Sequence, residues 1–365
     1  MKFSYAMLPD HPVDRLLAAI ETADRLGFYG CYAADETFHK DSWLILAAAA
    51  GRTEQLRLCL DATHVILKEP TILAQQLATL DELSRGRAEA VFAIGNIAML
   101  DQYGLAWEMT RPIARLREAH HVMRTFLDEG KIDFEGEFYR YSGLFTSARP
   151  VQERIPLKIG AMRGPRSFEL AGEISDGMHH AVGYSRGVLD YAAEHVRIGA
   201  ERAGRDWRSL DLGAWMPAAI AADSAKAKEA ARVVAAFYIA SLPPEQIDRH
   251  GLERAELQPI SETFARGDIE QVLALTTPEI AERLALAGTP DEWIERIEQE
   301  IVPTGFDHLA LCVVDPYLVE QWAGVKVDDV PDLEGQLGLI AEHVMPAFGA
   351  GGRFTRPEAP REQRE

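Results

Sequence analysis

The sequence predicts an α/β protein folded as a single (β/α)8 TIM barrel, and three observations carry this prediction. Short apolar runs typical of buried strands alternate with helical segments along nearly the whole chain. The strand-like runs amount to the eight that such a barrel needs, and βαβ alternation implies a parallel sheet. No linker-like change of composition interrupts the 365 residues, a length that suits one barrel with insertions.

The predicted strands are rich in β-branched, aromatic and small apolar residues. They cover residues 2–8, 28–34, 56–65, 87–95, 157–161, 176–183, 210–221 and 307–314. Helical periodicity follows the earlier strands at residues 14–27, 42–51, 70–84 and 111–130, and a long helix is predicted over 225–240. Gly27 supplies a helix stop, and Pro70 supplies a helix start.

Three segments depart from the simple alternation. Residues 131–146 alternate polar and aromatic side chains around an EGE turn, which predicts a β-hairpin decorating the barrel. Residues 243–288 contain short helical patterns punctuated by Pro and Gly, and we expect a helical insertion before the last strand, forming a lid or wall of a pocket. Residues 346–365 are rich in Gly, Pro and charge, which predicts a disordered tail after a single domain spanning 1–345.

Composition restricts the classes of function. The formal net charge of −19 argues against nucleic acid or an anionic membrane surface as the main partner, and favours a small-molecule substrate. The chain shows neither a signal peptide nor a long apolar run that would span a membrane. Cys31, Cys59 and Cys312 lie far apart within apolar runs, so we expect buried free thiols in a reducing cytoplasm and no metal site.

Barrels of this kind place their working residues at the carboxyl ends of strands, and this rule selects candidates without further knowledge. They are Asp35, Glu36 and His39 after the second strand, Asp61, Thr63 and His64 after the third, Gly95 and Asn96 after the fourth, Gly160 to Pro165 after the fifth, and His179 and His180 on the sixth. Since neighbouring residues of a strand face opposite sides, at most one of the two last histidines faces the barrel mouth.

Two of these candidates carry recognisable chemistry. The adjacent carboxyls of Asp35 and Glu36 could include one group with a raised pKa that moves a proton; equally, Glu36 could be solvated and Asp35 could cap the next helix. The segment GAMRGP at 160–165 runs from a strand into a helix, and its free backbone N–H groups would suit an anion, with Arg163 and Arg166 nearby.

Several blocks of the sequence closely resemble one family. They are PVQERIPL and AGEISDG on either side of the anion turn, ATLDELSRGRAEAVFAIGN at 78–96, and PPEQIDRHGL, RGDIEQVL and GTPDEWIERIEQE in the last third. Together they resemble the luciferase-like superfamily of flavin and deazaflavin enzymes. Within it they look most like the F420-dependent oxidoreductase branch typified by 5,10-methylenetetrahydromethanopterin reductase. The resemblance implies a TIM barrel of the bacterial-luciferase type and the cofactor F420.

The resemblance also implies roles for individual residues. Asp35 would lie against the deazaflavin, and Glu36 stands where the family often has a histidine that moves a proton. The segment DATHV at 61–65 would form a β-bulge with a cis peptide within residues 60–62, so that Asp61 and Ala62 back the ring while Thr63 and His64 line the pocket. Gly95 and Asn96 would approach the cofactor, and Gly160, Ala161, Met162, Gly164 and Pro165 would hold its phosphate. Asp35, Glu36 or His64 would manage the proton.

Two departures bear on the substrate. The reductase branch carries acids near the end of the first strand and after the fourth-strand glycines, where this chain has Ala6 and the segment around Ala98. We therefore expect hydride transfer to or from an organic substrate other than the archaeal pterin. The alternatives are an FMN-dependent luciferase-like monooxygenase and a non-catalytic ligand-binding homologue. The resemblance further implies a homodimer.

Overall fold

The barrel predicted from the sequence is present. The computed structural model describes residues 1–183, 185–239 and 242–349, without the side chains of residues 98 and 108. Eight parallel strands close on themselves in the order β1-β2-β3-β4-β7-β8-β9-β11, and β11 pairs back to β1. These strands are β1 Lys2–Met7, β2 Gly30–Ala33, β3 Arg57–His64, β4 Ala88–Ala93, β7 Leu157–Ala161, β8 Gly177–His180, β9 Asp211–Ile220 and β11 His308–Val313.

Helices on the outside connect the strands. In chain order they are α1 Val13–Arg25, α2 Ser42–Ala50, α3 Pro70–Ser84, α4 Ile97–Gln102, α5 Pro112–Glu129, α6 Pro165–Ile174, α7 Arg186–Arg202, α8 Ser224–Ile239, α9 Pro244–Arg249, α10 Arg254–Ala265, α11 Ile269–Leu275, α12 Pro278–Leu284, α13 Pro290–Arg296, α14 Pro316–Ala323 and α15 Leu333–Leu339. Proline occupies the first turn of several of them, where its missing N–H costs nothing.

Asp81 on α3 shows how the block around TLDELS-GR contributes to the architecture. Its carboxylate is fully buried and accepts hydrogen bonds from the backbone N–H groups of Ala88, Val151 and Gln152, at 3.2, 2.7 and 2.9 Å. A buried carboxylate is tolerated where several donors satisfy it. Asp81 therefore joins α3 to the start of β4 and to the segment that leads into β7.

The hairpin predicted at 131–146 consists of β5 Lys131–Glu135 and β6 Arg140–Phe145, paired antiparallel. It leans toward the segment after β3, where the Tyr139 hydroxyl donates to the carbonyl of Val65 at 2.9 Å. The insertion at 243–288 contains α9 to α12, which pack with α8 in a core of their own. Its end is not helical as we expected, because β10 Leu286–Gly288 pairs in parallel with the carboxyl-terminal end of β9.

The chain still packs against the barrel beyond residue 345, where the sequence predicts the tail to begin. The Phe348 ring lies 5.9 Å from that of Phe3, and its carbonyl is 3.4 Å from the Met1 amino group. Residues 350–365 fall outside the described residues, and the domain boundary at 345 stays a prediction. Within the described ranges, no helix combines the length and apolar character that crossing a bilayer requires. All three cysteines are buried free thiols, as predicted.

A network of charges fills the amino-terminal half of the barrel interior. The ammonium of Lys158 lies 2.7 Å from Glu89 and 2.6 Å from Asp211, and Arg57 reaches Glu89 at 3.0 Å. The hydroxyls of Tyr29 and Tyr32 donate to the two carboxylate oxygens of Glu89 at 2.6 and 2.7 Å. We call Lys158, Glu89, Asp211 and Arg57 the floor network. Its cations hold the pKa values of Glu89 and Asp211 well below their usual range, against the opposing effect of burial.

Candidate functional site

Asp35 lies immediately after β2 and is almost fully buried. One of its carboxylate oxygens, Oδ2, accepts a hydrogen bond from the Trp43 indole at 3.1 Å. The same oxygen forms an ion pair with the Lys68 ammonium at 2.5 Å. Trp43 belongs to α2, and Lys68 follows β3, so the carboxylate fixes two neighbouring loops at the barrel mouth. With one oxygen held by two donors, Asp35 is suited to orienting its surroundings rather than to moving protons.

Glu36 has a different environment. Burial raises the pKa of its carboxyl, and the negative charge of Asp35 acts in the same direction. The Asn96 side chain hydrogen-bonds to it and opposes the shift, as does His39, whose Nε2 lies 3.9 Å away. His39 is itself held by Asp10 through a 2.6 Å contact. A carboxyl with a raised pKa at a strand end is the kind of group that exchanges a proton near neutral pH.

His64 and Gly95 meet at the ends of β3 and β4. A Cβ placed on Gly95 would lie 3.5 Å from the Cβ of His64, and Gly95 has a φ of +134°, a conformation that side chains disfavour. Burial lowers the pKa of His64; Asp35 opposes the shift, and Lys68 adds to it. Neither ring nitrogen makes a hydrogen bond of good geometry with the described residues, and the same holds for the buried Thr63 hydroxyl.

The expected bulge is present in β3. The peptide bond between Asp61 and Ala62 is cis, and the register against β4 shifts between Asp61 and Thr63. Gly160 on β7 faces the bulge, since a Cβ built there would come within 3.3 Å of the Ala62 Cβ. Two small residues therefore leave the backbone accessible at this point of the barrel mouth.

The Asp61 side chain is directed into the barrel. Its Oδ2 lies 2.9 Å from Nδ1 of His179 on β8, and both side chains are buried. His180, the next residue, instead stacks on Phe168 of α6 with ring centroids 6.0 Å apart. The two histidines thus face opposite sides of β8, as alternation requires.

The loop from Gly160 to Pro165 ends at the start of α6. Gly164 precedes this helix without a side-chain cap, Pro165 occupies its first turn, and both Arg163 and Arg166 are exposed. On the inner side, the side-chain amide of Gln246 from α9 donates to the carbonyl of Met162. This contact joins the helical insertion to the loop, and the expected lid or wall of a pocket stays a prediction.

An apolar wall lies across the interior from the bulge. Trp215 of β9 donates its indole N–H to the Tyr238 hydroxyl of α8 at 3.1 Å, and Tyr238 also hydrogen-bonds to the Cys312 side chain. Ala6, Trp215 and Cys312 belong to one buried cluster inside the barrel. Burial and Cys312 raise the pKa of the Tyr238 hydroxyl, and the negative charge of Glu36 raises it further.

Three potential metal ligands come together deeper in the barrel. His179, Asp211 and His308 place one ligand atom each within 4.8 Å of one another. The Lys158 ammonium already occupies a position 2.6 Å from Asp211, and the Nε2 of His308 is bonded to the Ser4 hydroxyl at 2.8 Å. A divalent cation would have to displace or repel that ammonium, so we interpret the cluster as an ion-pair network.

The structure brings most of the predicted residues into contacts around the barrel mouth. Asp35, Glu36, His64, Gly95 and Asn96 form one group, and Asp61, Ala62 and Gly160 form another at the bulge. Thr63 lies between the two groups in β3; Ala161, Met162, Gly164 and Pro165 follow Gly160 along the loop. The roles of these residues stay predictions. The Ala98 side chain lies outside the described residues.

Sequence reasoning missed Lys68 and Tyr238. Lys68 lies in the loop after β3, so the strand-end rule would have selected it had it been applied four residues further along. Tyr238 gives no such signal because it is on an outer helix and reaches the interior through its contacts with Trp215 and Cys312.

Comparisons with known proteins agree with the resemblance. The family described as luciferase-like monooxygenase matches residues 1–308. The 5,10-methylenetetrahydromethanopterin reductase of Methanolobus tindarius is 29% identical over 300 residues, which are 82% of this chain and 90% of that protein. An F420-dependent glucose-6-phosphate dehydrogenase of Nakamurella multipartita is 32% identical over 270 residues, 72% of this chain and 74% of that protein.

The fold comparison points the same way. The solved structure of the coenzyme F420-dependent tetrahydromethanopterin reductase from Methanopyrus kandleri is similar with a TM-score of 0.85 and 26% identity. The similarity covers 95% of this chain and 99% of that one. The barrel fold is thus shared over nearly the full length of both chains.

Proposed function

This chain belongs to the luciferase-like monooxygenase family, and on that premise we propose that it is an F420-dependent oxidoreductase that transfers a hydride between the deazaflavin and an organic substrate. Two of the relatives named above, the glucose-6-phosphate dehydrogenase and the reductase from Methanopyrus kandleri, are F420-dependent by name, which supports the cofactor. The observation that carries the proposal within this chain is the bulge at Asp61–Ala62 facing Gly160, beside the buried Thr63 hydroxyl and His64 ring.

The residues present fit the cofactor. Small side chains at Ala62 and Gly160 leave backbone accessible where a flat ring would rest, and the unpartnered Thr63 hydroxyl and His64 ring could contact its edge. The loop from Gly160 to Pro165 would hold the phosphate at the start of α6, where N–H groups point outward. When bound, F420 supplies a ring carbon that donates or accepts a hydride.

The chain's own part in the reaction is positioning, exclusion of water and movement of a proton. Lys68 and Trp43 hold Asp35, and so fix the loop that carries Glu36. Glu36 holds or releases the proton at its carboxyl, because burial raises its pKa toward the range in which it can do both. The wall formed by Trp215, Tyr238 and Cys312 excludes water from the substrate side.

The substrate is an organic molecule other than the archaeal pterin. Where the reductase branch carries carboxylates, this chain has Ala6, buried in the apolar interior cluster, and Ala98. An apolar wall suits a substrate that is uncharged at its reacting end. The homodimer and the cytoplasmic location stay predictions.

The experiment that tests the proposal is a titration of the purified protein with F420 and with FMN, followed by quenching of tryptophan fluorescence. We expect saturable binding of F420 at concentrations where FMN does not bind, and this result would justify a substrate screen by deazaflavin absorbance. Preference for FMN would contradict the proposal and indicate a flavin-dependent monooxygenase. Binding of neither cofactor would also contradict the proposal and indicate a non-catalytic homologue.

A further inference from the structure

His179 is a buried histidine with an unusual surrounding. It is 1% exposed, lies in the middle of the barrel interior, and makes one hydrogen bond, to the Asp61 carboxylate at 2.9 Å. Its other ring nitrogen, Nε2, has no hydrogen-bond partner within the described part of the chain. Because a carboxylate only accepts, Nδ1 must carry the proton in this contact.

The surrounding residues fix the plane of the ring. Tyr32 stacks on it in parallel with centroids 5.0 Å apart, and His308 meets it edge-on at 4.9 Å. The third side is Gly213, where a Cβ would overlap the His179 ring. Tyr32 is in turn held by Glu89 and by Lys158, which donates to its hydroxyl at 2.9 Å. Tyr32 therefore links the His179 ring to the floor network.

Asp61 is the residue at which β3 departs from regular register, and Ala62 follows it. Among the described residues, the Asp61 carboxylate pairs with no Lys or Arg, so the contact with His179 is what ties this residue to the opposite side of the barrel. The separation of 118 residues means that the contact joins two distant parts of the chain. A ring held rigidly on β8 thus fixes the side chain that begins the bulge.

We propose that His179 is a positioning residue: through its Nδ1–H bond to Asp61 it holds the bulge at Asp61–Ala62 in the place where the cofactor ring is supported. This inference rests on the proposed function, because the bulge matters to catalysis only if the cofactor lies against it. In this proposal the Asp61 side chain points away from the cofactor and contacts His179. Only the backbone of Asp61 would then face the ring.

Three variants test the proposal. His179→Phe keeps an aromatic ring against Tyr32 and removes the donor, whereas His179→Asn restores an N–H donor close to the position of Nδ1. The control is His120→Phe, which replaces a buried histidine stacked on Phe92 outside the barrel interior. Each variant is compared with the wild-type protein in thermal stability, F420 affinity, steady-state kinetics and amide hydrogen exchange of residues 60–65.

We expect His179→Phe to lower kcat by up to about 100-fold, since a misplacement near 1 Å can cost that much, and to weaken F420 binding. Exchange of the amides in residues 60–65 should accelerate in this variant, whereas His120→Phe should leave both properties unchanged. His179→Asn should recover most of the lost kcat. Loss of kcat with KM for the substrate unchanged is the pattern of a displaced cofactor rather than of a damaged substrate pocket.

The proposal is overturned if His179→Phe keeps wild-type kcat and wild-type exchange in residues 60–65. It is also overturned if His179→Asn is as impaired as His179→Phe, because the ring and not its donor would then be responsible. If the wild-type protein does not bind F420, the proposed function is wrong. The exchange experiment needs no cofactor and still decides whether His179 holds the bulge.

Discussion

The two halves of the barrel interior differ in how their charged and polar side chains are paired. In the amino-terminal half, Lys158, Glu89, Asp211 and Arg57 are paired with one another at 2.6 to 3.0 Å. At the carboxyl-terminal mouth, Glu36 has a raised pKa, and the Thr63 hydroxyl and His64 ring lack good hydrogen bonds to the described residues. The charges of the floor network are thus paired with one another, whereas the mouth contains buried polar groups without such pairing among the described residues. This contrast agrees with the general division of such barrels into a stability face and a catalytic face.

The largest effect should follow from Glu36→Gln at the mouth. Removing the proton-carrying carboxyl while keeping its shape should lower kcat by about 100- to 10,000-fold and leave F420 affinity and thermal stability unchanged. Steady-state kinetics with a substrate found by the absorbance screen measure the change. Glu54→Gln, at an exposed position away from the mouth, is the control. Unchanged kcat in Glu36→Gln would show that His64 or another group moves the proton.

Substitutions in the floor network should lower the free energy of unfolding rather than change the catalysed reaction. Lys158→Met leaves Asp211 and Glu89 buried with less compensating charge, so the free energy of unfolding should fall by about 3–5 kcal/mol. Lys2→Met is a matched control, because Lys2 contacts the same Asp211 at 3.0 Å from a half-exposed position. It should cost about 1 kcal/mol or less. Urea denaturation compares the two, and equal losses would contradict the distinction between buried and exposed cations.

Acid should weaken the fold before it protonates the floor carboxylates. Burial lowers the pKa of His308 and of His120 to about 4, below the usual 6.5. Since protonation then favours the unfolded chain, stability is complete above pH 6.5 and is lost as the pH falls toward 4, by roughly 3 kcal/mol for each such histidine.

Denaturation curves recorded between pH 7 and pH 4 measure this loss. His120→Phe removes one of the titrating groups, so its stability should depend less steeply on pH than that of the wild-type protein. A wild-type stability that stays constant over this interval would contradict the buried neutral histidines.

The smallest expected effect is a change in the pKa of His64 at the barrel mouth. Lys68 helps to lower the pKa of His64, so Lys68→Met should raise that pKa, although burial keeps it below the usual value. Titration of the His64 ring by NMR measures the change. Lys40→Met is the control, since Lys40 is exposed and donates to the Asp10 carbonyl at 2.9 Å. A fall in the His64 pKa would mean that the loss of Lys68 acts through burial rather than through charge.

Alternation and resemblance predicted the fold well for physical reasons. Strand periodicity and glycine or proline punctuation are local, so all eight barrel strands could be located, and the bulge residues followed from their resemblance to the family. The short strand β10 was missed because three residues carry too little periodicity. The pairing of Asp35 with Lys68, and of Asp61 with His179, could not be predicted, because each joins separate loops or strands through specific rotamers.

The same limit explains what could be said of the site. The strand-end rule selected the loops that meet at the mouth, but it could not tell Asp35 from Glu36. Only the surroundings distinguish them: Asp35 is held by a lysine and an indole, whereas Glu36 is desolvated beside another carboxylate. A pKa depends on that three-dimensional environment, which adjacent positions in the sequence do not reveal.

The contact between the first strand and the last described turn has a practical consequence. The Met1 amino group lies 3.4 Å from the carbonyl of Phe348, at the amino-terminal end of β1. A short peptide could therefore join these two points, and new ends could be opened elsewhere, for example in the exposed hairpin turn near Glu137. Such a circular permutant, made without residues 350–365, would carry its ends at the hairpin that decorates the barrel, and the order of strands around the barrel would stay the same.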